Sequence, residues 1–290
     1  MMRFTRERGY CWYYVDAVVG DRLFVVIFMH APVFSARELL RERRGRASAC
    51  AVNAAVYRGG KREAWVCSES ARAQVTAESI TIGASSLRRV GHTLTVHVSA
   101  TQSPWPRKLA FDLTLKATAP AGEDIALAPG HHWQALMPRA QASVTMGELS
   151  AEGHGYHDSN YGESPLGCDL ARWRWSRVHG TEATDIYYVP EAPGRGVHLH
   201  ADAQATTTSV LDDVALASER SGWGLSLPQF LPHGQDILPT GQLIESSPFY
   251  ARLWHQRDGI DALTEVADFA RFRSRRFAWM SYFRSRTEAA

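Results

Sequence analysis

The densest group of side chains with possible chemistry lies in the middle of the chain. Residues 153–162 read GHGYHDSNYG, with two histidines, two tyrosines, one aspartate and one asparagine. In a strand, Tyr156, Asp158 and Asn160 would share one face, because side chains alternate along extended backbone. A carboxyl group on a buried face must be paired or kept protonated. Asp158 is therefore a candidate general acid, and a polar turn with satisfied hydrogen bonds is the alternative.

Three other segments carry chemically useful side chains two residues apart. They are Trp12, Tyr14 and Asp16; His131 and Trp133; and Trp173 and Trp175. Indole rings on one strand face most often belong to a core, whereas in a dry pocket they can stabilise a cation. Asp16 is either a second interior carboxyl or the partner of an arginine, and the ion pair is the favoured interpretation.

The histidines beside Asp158 raise the question of a metal site. His154 and His157 would face opposite ways in a strand, and the spacing fits no zinc pattern. The four cysteines contain no CxxC pair. The chain also lacks the G-x-S-x-G, P-loop and Rossmann patterns. The residues therefore predict no metal site and none of these nucleotide or hydrolase sites.

The elements that must position these residues are predicted to be strands. Residues 10–19 and 22–29 are aromatic and β-branched on either side of Gly20-Asp21, which indicates a hairpin. Similar short strands recur along all 290 residues, so we predict an all-β fold. Residues 36–46 and 260–272 have helical spacing. A boundary near 145–155 predicts two β domains, 1–150 and 151–290.

Composition and the end of the chain bear on partners and location. A formal net charge of +2 gives no reason to expect nucleic acid. The longest unbroken apolar run, residues 23–29, is too short to span a bilayer. Residues 271–286 interleave arginines with aromatic rings, which indicates either a packed final element or an interfacial membrane contact. A cytoplasmic protein, peripheral on the inner membrane in the second case, is expected.

Several motifs in order resemble one enzyme family. They are residues 9–17 (GYCWYYVDA), 32–35 (PVFS), 50–57 (CAVNAAVY), 155–160 (GYHDSN), 163–166 (ESPL), 172–177 (RWRWSR) and 248–252 (PFYAR). Together they are similar to acyclic carotenoid 1,2-hydratases, also called hydroxyneurosporene synthases. The resemblance runs from about residue 9 to 285, nearly the whole chain. His157 departs from the family, in which phenylalanine is common at that position.

This resemblance implies a fold and an activity. The fold is two consecutive lipocalin-like β-barrel halves with a few short helices. The activity is addition of water at C1 of an acyclic carotene, such as neurosporene or lycopene, without a cofactor. The family's functional positions correspond to His131, Trp133, Tyr156 and Asp158.

Each residue then receives an expected role. Hydration requires protonation of carbon, and a neutral Asp158 in an apolar cavity is the expected acid, with Asp16 in reserve. Trp133, with Trp173 or Trp175, would stabilise the cation, while His131 and Tyr156 would orient water. The expected substrate-binding residues are Trp173, Trp175, Trp12, Tyr14, Asp16 and His157. The rival hypotheses are a cyclase or Diels–Alderase-like enzyme of the same superfamily and a non-catalytic isoprenoid carrier.

Overall fold

Extended backbone dominates the chain, as its β-branched and aromatic segments predict. The computed structural model describes residues 4, 9–103, 105–168, 170–191, 194–211, 218–233, 236–282 and 285–287. The first twelve strands are β1 (Tyr10–Val19), β2 (Arg22–His30), β3 (Cys50–Arg58), β4 (Lys61–Ser70), β5 (Gln74–Val75), β6 (Ser79–Ile82), β7 (Ser85–Val90), β8 (Thr93–Thr101), β9 (Lys108–Ala117), β10 (Ile125–Ala128), β11 (His131–Met146) and β12 (Leu149–Gly162). The next twelve are β13 (Arg172–His179), β14 (Thr184–Pro190), β15 (Val197–Ala201), β16 (Thr206–Val210), β17 (Ser218–Arg220), β18 (Ser226–Pro228), β19 (Phe230–His233), β20 (Asp236–Pro239), β21 (Gln242–Ser246), β22 (Tyr250–Arg257), β23 (Ile260–Asp268) and β24 (Arg286–Thr287).

Two large sheets contain most of these strands. The first sheet has the order β24-β4-β3-β2-β1-β12-β11-β9-β8-β7-β6-β5, with β10 paired to β11. The second has the order β16-β15-β14-β13-β23-β22-β21. The all-β architecture of two lipocalin-like halves with a few short helices is confirmed. The division at residue 150 stays a prediction; β12 crosses that position and belongs to the first sheet.

Strand β1 is buried along its entire length because both of its faces are covered. Tyr13 and Val15 point into the core of the first sheet. Trp12 and Tyr14 point into a second core, shared with residues of the second sheet such as Trp175. The predicted hairpin is confirmed, since β1 and β2 pair antiparallel from Cys11 to Val19. The candidate residues on the even positions of β1 therefore lie between the two sheets.

Two glycines let β12 lie close against its neighbours. A Cβ atom on Gly153 would come within 1.9 Å of the Val18 carbonyl oxygen, and one on Gly155 within 2.5 Å of Leu115. Side chains at these positions would push the strands apart. These glycines, which suggested a boundary in the sequence, stand inside a continuous strand.

The helices are α1 (Ala36–Arg43), α2 (Phe269–Arg273), α3 (Arg275–Ala278) and a 3₁₀ turn at Trp279–Ser281. The first predicted helix is confirmed, and the Ser35 side chain caps it by accepting from the Glu38 backbone N–H. The second prediction is wrong for residues 260–268, which form β23. That strand is buried on both faces, so its apolar residues do not alternate and also fit a helical period. Among the described residues, no helix is long and apolar enough to cross a membrane.

Candidate active site

Asp158 lies at the centre of a buried polar cluster between the two sheets. Its Oδ2 accepts hydrogen bonds from Trp133 Nε1 at 3.0 Å and from the Tyr156 hydroxyl at 2.7 Å. Its Oδ1 accepts from Asn160 Nδ2 at 3.1 Å. Strand β12 therefore places Tyr156, Asp158 and Asn160 on one face, as its alternation predicts, and β11 adds Trp133. The structure brings three of the four predicted catalytic residues into direct contact.

Burial sets the protonation of this cluster. Desolvation raises the pKa of Asp158 to about 7, although the hydrogen bonds from Tyr156 and Trp133 oppose the rise. Burial likewise raises the pKa of Tyr156 well above its usual value, which keeps the phenol a donor. Because Oδ2 already accepts two donors, we assign the proton of the neutral acid to Oδ1. Asp158 can thus give up a proton near neutral pH, and two donors stabilise the carboxylate that forms.

The fourth predicted residue, His131, reaches Asp158 through two intermediaries. The Tyr188 hydroxyl donates to Asn160 Oδ1 at 3.2 Å and lies 3.1 Å from His131 Nε2. The other ring nitrogen of His131 is hydrogen-bonded to the Tyr10 hydroxyl. Burial lowers the pKa of His131 to about 3, so the imidazole is neutral and has one donor and one acceptor nitrogen. A continuous hydrogen-bonded chain therefore runs from Tyr10 to Asp158.

Aromatic rings surround this chain. The Trp12 and Trp173 rings stack with their centroids 5.7 Å apart, and the centroids of Trp173 and His131 are 6.4 Å apart. The Trp175 ring lies 5.4 Å from Tyr14 and 5.3 Å from Tyr156. Both sheets contribute to the arrangement, which presents π faces that can stabilise a cation.

A cavity of about 120 Å³ opens beside these rings. Trp12, Tyr14 and Trp173 form one wall, and the remaining lining includes Ile27, Met29, Phe34, Trp65, Phe249, Tyr250, Glu245, Arg252 and Glu265. Tyr14 and Asp158 are direct partners across the β1–β12 ladder. Asp158 therefore lies one strand beyond the cavity lining, beside Tyr14 on the same face of the first sheet.

Asp16 occupies a separate buried ion pair, as favoured from the sequence. Its Oδ1 lies 2.9 Å from Arg177 Nη2, and the same guanidinium nitrogen lies 3.1 Å from Asp261 Oδ1. Burial raises the pKa of Asp16 to about 6, and Arg177 opposes the rise. An arginine in contact with Asp16 suits a structural role better than that of an acid.

His157 does not join the cluster. Its side chain lies on the opposite face of β12, where the ring stacks on Tyr13 at 5.9 Å and Nδ1 lies 2.8 Å from the Tyr14 carbonyl oxygen. Burial lowers the pKa of His157 to about 3, so the ring is neutral. Its predicted contact with substrate remains untested, and its position inside the first sheet separates it from the cavity.

Four residues were absent from the predicted site: Tyr10, Tyr188, Arg252 and Glu265. Tyr10 is two residues before Trp12, and the same alternation could have included it. Tyr188 lay in a predicted strand with no distinguishing neighbour. Arg252 belongs to the late motif PFYAR. Glu265 lies in the segment predicted as a helix, so the sequence did not indicate which face of a strand it would occupy.

Comparison with known proteins places this chain in a family. The family model described as Carotenoid hydratase CrtC matches residues 25–287. The chain belongs to the carotenoid hydratase family. It is 32% identical over 204 residues to an acyclic carotenoid 1,2-hydratase of Thiocapsa roseopersicina, which covers 66% of this chain and 50% of that protein. It is 26% identical over 241 residues to the enzyme of the same description from Cereibacter sphaeroides, covering 78% and 84%.

The lengths of these relatives and the folds of solved structures can also be compared with this chain. The chain spans about half the length of the Thiocapsa protein and 64% of a Rubrivivax gelatinosus relative. Among solved structures, an AttH protein of Nitrosomonas europaea matches with a TM-score of 0.61 at 13% identity, covering 91% of this chain and 94% of that one. Kievitone hydratase from Nectria haematococca matches with a TM-score of 0.55 at 12% identity, covering 90% and 89%. These two structures share the fold.

Proposed function

We propose that this protein is an acyclic carotenoid 1,2-hydratase. It adds water across the terminal C1–C2 double bond of a carotene of the neurosporene or lycopene type and gives a 1-hydroxy carotenoid. The observation that carries the proposal is the buried Asp158, which is hydrogen-bonded to Trp133 and Tyr156 and whose pKa of about 7 makes a protonated carboxyl available near neutral pH. Membership in the carotenoid hydratase family supports the same conclusion.

The first chemical step is protonation of carbon. Asp158 gives its proton to C2, the less substituted alkene carbon, and the positive charge develops at the tertiary C1. Trp133 and Tyr156 donate to Oδ2 and so stabilise the carboxylate as it forms. Hydrogen bonds to a charged group contribute about 1.5–3 kcal/mol each, more than they give to the neutral acid. These donors therefore lower the barrier to proton transfer.

The second step is capture of the cation by water. The rings of Trp12, Tyr14 and Trp173 line the cavity, and an aromatic face stabilises a nearby cation by about 0.5–2 kcal/mol. The chain of Tyr188, Asn160 and neutral His131 holds the acid in a single orientation. The reaction uses only a proton and water, so no cofactor is part of the proposal.

The size of the cavity indicates how the substrate binds. A volume of about 120 Å³ is below the roughly 300–1,000 Å³ of sites that enclose a whole small molecule. We infer that one end of the polyene enters the cavity while the remainder extends outward. Ser281 and Ser285, which line the same cavity, come from the C-terminal segment, which begins with α3 at Arg275.

This C-terminal segment and α1 form a surface suited to a membrane. Trp279 and Tyr282 are 61% and 42% exposed, and Leu40 on α1 is 42% exposed. The Ala36 N–H donates to Ser281 Oγ, which holds the two elements together. Exposed arginines stand at the end of α1 (Arg43) and just after it (Arg44 and Arg46). Aromatic and basic residues of this kind favour an anionic lipid surface. We infer a cytoplasmic protein in peripheral contact with the inner membrane, where it collects its substrate.

Vesicle binding tests the membrane contact. Sedimentation with phosphatidylglycerol–phosphatidylcholine vesicles should deplete the wild type from solution, and Trp279→Ser combined with Arg44→Glu should reduce that depletion. Val210→Ser, which removes an exposed apolar residue from the far edge of the second sheet, is the matched control. Equal depletion of all three proteins would contradict the proposed surface.

Product analysis tests the hydratase. The purified protein is incubated with lycopene or neurosporene in detergent micelles, and the products are separated by liquid chromatography with mass detection. The wild type should add the mass of one water, and Asp158→Asn should abolish the addition. A product of unchanged mass would indicate a cyclase, and binding without turnover would indicate a carrier. Unchanged hydration by Asp158→Asn would remove Asp158 from the role of acid.

A further inference from the structure

Glu265 faces the cavity from the second sheet, opposite the sheet that holds Asp158. Glu265 lies on β23, and its Oε1 accepts from Arg252 Nε at 3.0 Å and from the Tyr14 hydroxyl at 3.1 Å. Arg252 Nη2 lies 2.9 Å from the same oxygen. Arg252 is buried, so its positive charge is balanced by the carboxyl groups that it contacts. Two hydrogen bonds and one ion-pair contact therefore fix the orientation of Glu265.

The other oxygen of Glu265 is available to a ligand. Both hydrogen bonds and the ion-pair contact of Arg252 Nη2 fall on Oε1, and Oε2 accepts none from the described residues. Among the described residues, the Tyr250 hydroxyl is fully buried and has no hydrogen-bond partner. Glu265 Oε2 is not among such atoms, so it is at least partly accessible. Since Glu265 lines the cavity and Oε1 is taken, we infer that Oε2 faces the open space. One carboxylate oxygen is thus anchored and the other is free to bind water.

The position of Glu265 relative to Asp158 matters for catalysis. Tyr14 links the two carboxyl groups, because it pairs with Asp158 across the β1–β12 ladder and donates to Glu265. Directly opposed residues in a ladder have Cβ atoms about 4.5–5.5 Å apart. Asp158 therefore lies beside Tyr14 on the first sheet, and Glu265 lies across from Tyr14 on the facing sheet.

Glu245 also lines the cavity but is placed differently. It accepts from Arg252 Nη1 at 3.3 Å and from the hydroxyl of Tyr57, which lies on β3. Strand β3 is two strands away from β1 in the first sheet. Glu245 therefore lies farther from Asp158 than Glu265 does, and it serves as an internal comparison.

We propose that Glu265 binds the attacking water and takes its proton, a role that rests on the hydratase function proposed above. Asp158 transfers its proton to C2 and becomes a carboxylate. The water held by Glu265 Oε2 forms the C1–O bond, and one of its protons passes to Glu265. After the alcohol leaves, Glu265 loses its proton to solvent and Asp158 regains one, so that one water is consumed for each turnover. The two carboxyl groups act from the two facing sheets.

Deuterium labelling separates the two roles. Lycopene in detergent micelles is incubated in D₂O with each variant, and both the alcohol and the recovered hydrocarbon are analysed by mass spectrometry. Glu265→Gln should still form the cation but capture it poorly, so hydration should fall roughly 10²–10⁴-fold. The uncaptured cation returns to alkene by losing a proton, so the recovered hydrocarbon should carry deuterium. Asp158→Asn should give neither alcohol nor labelled hydrocarbon.

Glu245→Gln is the matched control. It removes a carboxylate from the same cavity and from the same arginine, so it reproduces effects of lost charge or of a shifted Arg252. The ratio of labelled hydrocarbon to alcohol should rise only in Glu265→Gln. If Glu265→Gln does not fold, Glu265→Asp keeps the charge but withdraws the oxygen from the cavity and should raise the same ratio.

The outcomes distinguish the two proposals. If the wild type hydrates lycopene and the Glu265 variants keep its ratio of labelled hydrocarbon to alcohol, the role of Glu265 is overturned while the hydratase function stands. If the wild type forms no alcohol from any acyclic carotene, the proposed function itself fails.

Discussion

Removing the Tyr156 hydroxyl should move the pH dependence of hydration upward. Asp158 must be protonated to act, so the rate should fall as the pH rises through its pKa of about 7. Tyr156→Phe deletes a 2.7 Å hydrogen bond that favours the carboxylate. Such a bond is worth about 1.5–3 kcal/mol, which corresponds to a pKa higher by about 1–2. The falling limb should therefore move from about pH 7 to between about pH 8 and pH 9.

The maximum rate should fall in the same variant, because a carboxylate with one donor fewer is a poorer product of proton transfer. The same energy gives a decrease of at most about 10- to 100-fold. The assay is the initial rate of lycopene hydration in detergent from about pH 5 to pH 10. Tyr187→Phe is the control, since that ring stacks on His198 and is not part of the Asp158 cluster. A limb that stays near pH 7, or moves to lower pH, would refute Asp158 as the acid.

Three further predictions concern stability and positioning. Burial raises the pKa of Asp158 from 3.8 to about 7, so the contribution of this carboxyl to stability should fall by about 4 kcal/mol as the pH rises through that range. In urea unfolding, Asp158→Asn should lose this contribution, and equal pH dependence in both proteins would contradict it. Arg177→Met leaves Asp16 and Asp261 without their cation and should lower the unfolding free energy by about 3–5 kcal/mol; an unchanged urea midpoint would oppose this. Tyr188→Phe breaks the link between His131 and Asn160 and should lower kcat about fivefold, whereas an unaltered kcat would exclude a positioning role.

Alternation along strands made part of the site predictable. The shared face of Tyr156, Asp158 and Asn160 follows from extended backbone alone, because the period of two needs no knowledge of the neighbouring strand. The contact of Trp133 with Asp158 does not follow from it. That contact depends on the register of β11 against β12, which shifts between Ala135 and Met137 and again before Ala140. Local sequence does not encode such irregularities, and only the motif resemblance linked the two residues.

The residues on the facing sheet were harder to find. Glu265 fell in a segment with helical spacing, since Leu263, Val266 and Phe269 are three residues apart. Tertiary packing decided otherwise, because a strand covered on both faces tolerates apolar residues at every position. The pairing of Glu265 with Arg252 and Tyr14 joins residues up to 251 positions apart in the chain. A single sequence contains no signal for contacts of that range.

The double burial of β1 divides one short strand between two selective pressures. The side chains of Cys11, Tyr13 and Val15 pack in the core of the first sheet. Those of Trp12 and Tyr14 pack between the two sheets, beside the candidate site. Neighbouring residues of β1 can therefore change for different reasons. Substitution of Trp12 or Tyr14 alone could adapt the site to another polyene and leave the packing of the first sheet's core unchanged.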